Sequence, residues 1–297
     1  MKDSYPQQSL TRFCRLLGIT RQAYYKNSWQ QQAATIEEEL VLKEVKQIRQ
    51  YHRAMGGRKL YELLQPFLLE HQIKMGRDAL FDVLAVHGLL VRKKRRRIYT
   101  TNSHHWLHKW PNLIKDFVPT APNQLYVSDI TYWKIKSDYV YLSLITDAYS
   151  HKIVGYHVAP TLAAMETVCA LQMALQQLGA AASHLIHHSD RGVQYCSEKY
   201  VHLLTTHQIS ISMTESSEPT DNAIAERVNG ILKQEYLEHY QVKNMEEAKE
   251  LLTSAIRLYN EERPHLSIGM QTPDIVHQHN IKTENLWKKK SPNAVSL

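Results

Sequence analysis

The chain has 297 residues, 43% hydrophobic and 22% charged, enough to bury a sizeable core in more than one domain. Its formal charge of +7 is concentrated: Arg92, Lys93, Lys94, Arg95, Arg96 and Arg97 carry +6 and leave +1 for everything else. No apolar run reaches the roughly eighteen residues of a membrane span, the polar start MKDSYPQQSL does not read as a signal peptide, and the scattered Cys14, Cys169 and Cys196 match neither a disulfide framework nor a zinc motif, so a cytoplasmic protein with no membrane partner is expected.

In chain order, SLTRFCRLLGITRQAYYKNSW places apolar residues at Leu10, Phe13, Leu16 and Leu17, then Gly18-Ile19-Thr20, then a second short helical pattern. That predicts helix, tight turn, helix over residues 1–35, with Thr20 capping the second helix, as in a helix-turn-helix or a plain helical hairpin. Residues 36–97 form a helical module: IEEELVLKEVKQIRQY is one helix, Gly56-Gly57 break it, Leu60, Leu63 and Leu64 begin another that meets Pro66, and a third ends near Gly88. The basic run at its exit, Arg92 to Arg97, is expected to contact DNA, since clustered Lys/Arg neutralise phosphates and release counterions; a solvated charge run is the plain alternative. Residues 98–122 lack a clean period and are read as a linker, in which His104 and His108 share a helix face but have no third ligand nearby.

At Gln124 the pattern changes. QLYVSDITYWKI, DYVYLSLITDAYS and SHKIVGYHVAP, joined by short connectors, predict an antiparallel meander. A helix to Gly179, a strand His184–His188, a helix Ser197–His207, a short strand Ile209–Ser212 and helices from Asp221 and Met245 follow. Strands and helices in this order predict an α/β layered core over residues 123–279, preceded by an all-α region and followed by a basic tail, 280–297. The order is also that of the ribonuclease-H-like fold.

Three acids stand out. Asp129 interrupts an apolar, aromatic strand, where a carboxylate costs desolvation energy unless it is paired or metal-bound. Asp190 follows the fourth strand, at the strand end where open α/β sheets meet ligands. Glu226 lies in DNAIAERVNGILKQE; at about 100° per residue, with Glu226 at 0°, Lys233 falls near −20°, Asn222 near −40° and Asn229 near −60°, while Ile224, Val228 and Ile231 fall on the opposite side. Glu226 therefore sits on a polar, partly open face. Carboxylates suit Mg²⁺ or Mn²⁺, and two such ions about 3.5–4 Å apart serve phosphoryl transfer, with Asp129 the natural bridge and Asp190 and Glu226 each completing one ion. Asp147 is a rival first acid, although it sits where LITDAYS turns. His187 and His188 alternate to opposite faces of a strand, so one of them at most lines the site. Glu235 and Glu238 read as solvated.

Sixty residues separate Asp129 from Asp190 and thirty-five separate Asp190 from Glu226, with Lys233 seven further on. The set VSDITYW, HHSDRGVQY and PTDNAIAERVNGILKQE closely resembles the D,D(35)E core of retroviral-integrase-like transposases. The closing YNEERPHLSIGMQTPDIV is similar to the YN-x-x-RPH…TP segment of bacterial insertion-sequence family three, and the upstream CRLLGITRQAYYK and GGRKLYELLQ…GRDALFDVLAVHGLLVRKKRRR look like that family's second-frame product, over roughly residues 8–277.

The resemblance implies a nucleoid-associated bacterial enzyme that uses two Mg²⁺ or Mn²⁺ ions to cleave element ends and transfer the strands. Asp129, Asp190 and Glu226 match the catalytic acids, and Asn222 and Lys233 would support catalysis or position DNA; Arg191, apart from the resemblance, reads as a phosphate contact, with a surface charge as the alternative. The implied partners are double-stranded DNA (terminal inverted repeats and target), further copies of the chain assembled on it, and an upstream-frame product, fused or bound. A non-catalytic protein that binds element ends and represses transposition is the alternative.

Overall fold

The computed structural model describes residues 9–91, 106–136, 138–178, 184–215, 222–284 and 286, with backbone only for 27–35. The basic run Arg92 to Arg97, His104 and most of the expected basic tail lie outside the described residues. Contacts divide the chain into two compact units, Met1–Gln50 with Leu63–Leu90 and Tyr51–Glu62 with Val91–Leu297.

The first unit is helical. Helix α1 (Leu10–Leu16) is capped by the Ser9 side chain, which accepts from the Arg12 amide. Gly18 turns the chain at a φ of 67°, in the left-handed region that glycine tolerates. Thr20 Oγ1 then accepts from the Ala23 amide at 3.0 Å, the expected cap. Helix α2 (Arg21–Tyr51) runs straight through position 35, where the sequence pattern suggests separate helices; no Gly or Pro lies between its ends to stop it. Helix α3 (Gly57–Glu70) continues through Pro66, and α4 (Arg77–Val86) ends just before Gly88. Among the described residues, Cys14, Val41, Leu42, Val45, Leu64, Leu68, Leu80 and Leu84 are the buried apolar residues of this unit's helices.

The second unit carries a five-stranded sheet of order β3-β2-β1-β4-β5. Its strands are β1 (Leu125–Ile135), β2 (Asp138–Asp147), β3 (Ile153–Ala159), β4 (Ile186–Ser189) and β5 (Ser210–Met213). The meander β1-β2-β3 is antiparallel, and β4 and β5 add in parallel on the other side of β1. This is the α/β architecture that the strand order implies.

Alternation along β1 separates two apolar layers. Trp133 and Ile135 join Leu142 and Leu144 of β2 against Val228, Ile231, Leu252 and Ile256, on helices α7 (Ala223–Ile231) and α8 (Met245–Arg257). Tyr126 and Ile145 face Val168, Leu171, Tyr200 and Leu204, on helices α5 (Ala164–Leu178) and α6 (Glu198–Thr206). Both α7 and α8 run on into π-helical turns, Leu232–Leu237 and Leu258–Glu262, and α9 (Pro273–His279) closes the described chain.

One segment departs from expectation, because an aperiodic sequence need not be a free tether. Within the expected linker, Leu113 donates its amide to Ser212 Oγ and the carbonyl of Pro111 accepts from the Met213 amide, so the segment lies along the edge strand β5. Gly155 on β3 lets α5 approach closely: an added Cβ would overlap the Ala170 carbonyl oxygen and lie 2.9 Å from Ala174 Cβ. Gly155→Ala is therefore expected to lower stability by about 1–3 kcal/mol through overpacking, read as a lower denaturant midpoint; an unchanged midpoint would contradict this packing.

Candidate active site

The odd-numbered residues of β1 face α7: Leu125 and Val127 pack with Ala225 and Ile224, and Trp133 with Val228. Asp129 and Thr131 are the polar interruptions of that apolar stripe. The parallel register pairs Ser128 with Ser189, the last residue of β4, so Asp190 is one step past the strand beside Asp129. Chain separation of sixty residues thus becomes adjacency across one strand pair, about 4.8 Å in the hydrogen-bonding direction.

Asp190 turns back on its own loop, its Oδ1 accepting from the Gly192 amide at 3.0 Å. An added Cβ at Gly192 would sit 3.0 Å from that oxygen, so a side chain there would crowd the carboxylate. Arg191, between them, is half-buried.

Helix α7 lays its polar stripe along β1. Asn222, at its N-cap, donates Nδ2 to the Ser128 carbonyl at 2.9 Å; Asn229 donates Nδ2 to Asp129 Oδ2 at 2.7 Å; Lys233 donates Nζ to Thr131 Oγ1 at 3.2 Å and lies 4.3 Å from the Tyr132 ring centre. These are the positions the helical wheel gathers with Glu226. The face is less open than expected: Asn222 and Asn229 are buried against β1, and Glu226 remains exposed.

The three acids share one electrostatic environment. Burial first, then the charge of Asp190 and more weakly that of Glu226, push Asp129 up to about 7, against the pull of the Asn229 hydrogen bond. Burial likewise lowers the Lys233 ammonium, which the charges of Glu238 and Asp129 partly offset. Carboxylates that repel one another at the end of an apolar stripe form a hard, all-oxygen donor set that fits Mg²⁺ or Mn²⁺.

Asn229 was not singled out by the sequence pattern as a site residue, although it lies on the same wheel stripe as Glu226. Its amide fixes which way the Asp129 carboxylate points. Asn229→Ala is expected to lower activity by about 10–100-fold, as loss of such orienting partners does, with little change in DNA affinity; activity within twofold of wild type would remove it from the site.

The remaining candidates fall elsewhere. Asp147 is fully buried and accepts from the Asn123 amide, the Ser150 amide and Ser150 Oγ, each at 2.7 Å, so it holds a turn. His187 Nε2 meets Ser128 Oγ and Tyr200 Oη, both at 2.9 Å, and burial holds the ring down at about 3; His188 Nδ1 meets Ser212 Oγ at 2.8 Å. Both histidines are interior packing groups, on opposite faces as strand alternation requires.

Glu235 is not solvated. It accepts from Arg263 Nε at 2.9 Å and Nη2 at 2.8 Å and from Lys59 Nζ at 3.3 Å. Burial pushes its carboxyl up, and the charges and hydrogen bonds of Arg263 and Lys59 more than reverse this. The wheel holds a signal for this: nine residues after Glu226, Glu235 falls at about 180°, on the buried face.

The chain is similar to several known proteins. The integrase core domain family matches residues 119–219 in one form and residues 207–273 in another. The chain is 36% identical over 267 residues to the 31 kDa protein of insertion element IS600 of Shigella sonnei, covering 88% of this chain and 95% of that one. It is 28% identical over 285 residues to the transposase InsF of insertion sequence IS3fB of Escherichia coli, covering 92% and 95%. Among solved structures, the HTLV-2 integrase catalytic core domain in complex with magnesium is similar at 20% identity, covering 53% of this chain and 97% of that one, with a TM-score of 0.41.

Proposed function

Since the chain belongs to the insertion-sequence transposases with an integrase-type core, enzymes that cleave DNA and transfer its strands, we propose that Asp129, Asp190 and Glu226 are its catalytic acids. The observation that carries this reading is the coupling of the three carboxylates, two brought side by side by the β1-β4 register and the third carried over β1 by α7.

In the first step water attacks the scissile phosphate at an element end; its oxygen bonds to phosphorus, the bond to the 3′ oxygen breaks, and that oxygen leaves as a 3′-hydroxyl. In the second, that hydroxyl attacks another phosphodiester, losing its proton to solvent and displacing that strand's 3′ oxygen. Asp129, Asp190 and Glu226 would hold the Mg²⁺ or Mn²⁺ ions, two in the expected stoichiometry, which when bound would supply activation of the attacking oxygen and neutralisation of the charge on the leaving one. Asn229 keeps the Asp129 carboxylate in one orientation, and Gly192 does the same for Asp190. Asn222 pins the start of α7 to β1, so that Glu226 is carried on a fixed helix end. Lys233 offers a cation beside Asp129 for a DNA phosphate, and Arg191 does so beside Asp190.

The helical segments within residues 1–90 and the basic run Arg92 to Arg97 are the proposed DNA-contacting parts outside the core, with terminal inverted repeats and target DNA as ligands. Assembly of several copies on DNA, and fusion to or interaction with an upstream-frame product, belong to the same proposal, as does residence at the bacterial nucleoid.

The test is joining of a labelled element-end duplex in Mg²⁺. Wild type is expected to form joined product, and neither EDTA-treated protein nor Asp190→Ala should form any, while Asp190→Ala still binds the duplex. Joining by Asp190→Ala at the wild-type rate would sink the assignment; binding without joining by wild type would make the chain a repressor.

A further inference from the structure

Beyond the three acids, one more cluster of ligating side chains among the described residues stands on a strand and a helix. Strand β3 is an edge of the sheet, and its residues Gly155 and His157 face α5. Because Gly155 has no side chain, Ala170 and Ala174 come down onto the strand, and the start of α5 lies over His157. Glu166 and Cys169, three apart and therefore on one side of the helix, meet it there. His157 Nε2 is 3.0 Å from Glu166 Oε2, and one ligand atom from each of His157, Glu166 and Cys169 lies within 4.8 Å of the other two. The His157 and Glu166 side chains are 30% and 29% exposed, and Cys169 is a free, half-buried thiol. The place is reachable from solvent yet anchored.

We propose that His157, Glu166 and Cys169 form a second cation site, for Zn²⁺ or a similar borderline-soft divalent ion. Zinc binds imidazole nitrogen at about 2.0 Å and thiolate at about 2.3 Å, so neighbouring ligand atoms of a tetrahedral site lie roughly 3.5 Å apart. The ligand atoms, all within 4.8 Å of one another, exceed that spacing by at most about 1.3 Å. Imidazole and thiol discriminate against Mg²⁺, which prefers oxygen, so this site and the all-oxygen acid site select different ions. On binding, the Cys169 thiol gives its proton to solvent. Three protein ligands leave a fourth position for water. The bound ion would tie the edge strand to α5, on the far side of β2 from Asp129.

Cobalt serves as the probe, because a thiolate bound to Co²⁺ gives a near-ultraviolet charge-transfer band that carboxylate ligands cannot produce. Adding Co²⁺ to the metal-free full chain is expected to develop this band, and Zn²⁺ to bleach it. Cys169→Ser should abolish it, and His157→Ala should raise the cobalt concentration at half-saturation by at least about tenfold. Both variants are checked for a wild-type circular dichroism spectrum. No band with wild type, or an undiminished band in Cys169→Ser, would overturn the proposal.

Discussion

Arg263→Ala is expected to destabilise the sheet-bearing unit by about 3–5 kcal/mol, the usual result of removing one partner of a buried ion pair. Arg263 is 1% exposed, yet it carries a full charge. Its guanidinium forks onto both oxygens of Glu235 at 2.9 and 2.8 Å, and its remaining nitrogen, Nη1, meets His265 Nε2 at 3.0 Å. Truncation leaves the Glu235 carboxylate facing Lys59 alone, and burial has already lowered that lysine to about 8. Arg263→Lys keeps the charge and loses the two-pronged geometry, so it should fall between wild type and alanine. Denaturant unfolding followed by circular dichroism measures both. A loss below about 1 kcal/mol for alanine would place the pair among ordinary surface bridges and contradict the burial.

The position of this pair matters for the site. Glu235 is on the π-helical turn that continues α7, nine residues past Glu226, and Arg263 belongs to the closing YNEERPH segment. The ion pair therefore joins the helix that carries Glu226 to the motif that closes the core, and it supplies a physical reason for an arginine at that place.

Glu226→Gln and Asp129→Asn are expected to slow strand joining by at least about a thousandfold, roughly 4 kcal/mol of transition-state stabilisation. Each exchange keeps the size of the side chain and removes its charge. The amide at position 129 still offers an oxygen to Asn229, so the local packing survives. Affinity for element-end DNA should hold or rise, because a negative charge beside the phosphates has gone. Loss of joining with retained binding separates chemistry from positioning; parallel loss of both would point to a folding defect.

The site was legible where the sequence carries a period. Alternation in LYVSDITYW exposes Asp129 as an intruder in an apolar stripe, and the wheel of the α7 segment gathers Asn222, Glu226, Asn229 and Lys233. Adjacency of Asp190 to Asp129 is a matter of strand order, which the meander-then-helix pattern supplies indirectly and the β1-β4 register makes explicit. Three features were hidden for physical reasons. Helix α2 continues past residue 35 because weak patterning is not a stop. Residues 111–113 pair with an edge strand through backbone and a serine hydroxyl, which leaves no period. Glu235 was read from its charge and not from its angle, since a buried carboxylate is expected only where its cation is known, and Arg263 is twenty-eight residues away along the chain.

The central claim rests most directly on single-turnover joining of an element-end duplex at saturating protein, measured for wild type, Asp129→Asn, Asp190→Asn and Glu226→Gln. Joined product from wild type, with each variant at least about a thousandfold slower while binding the duplex as well as wild type, is the predicted result. Any one of the three joining within about tenfold of wild type would contradict the three-acid site.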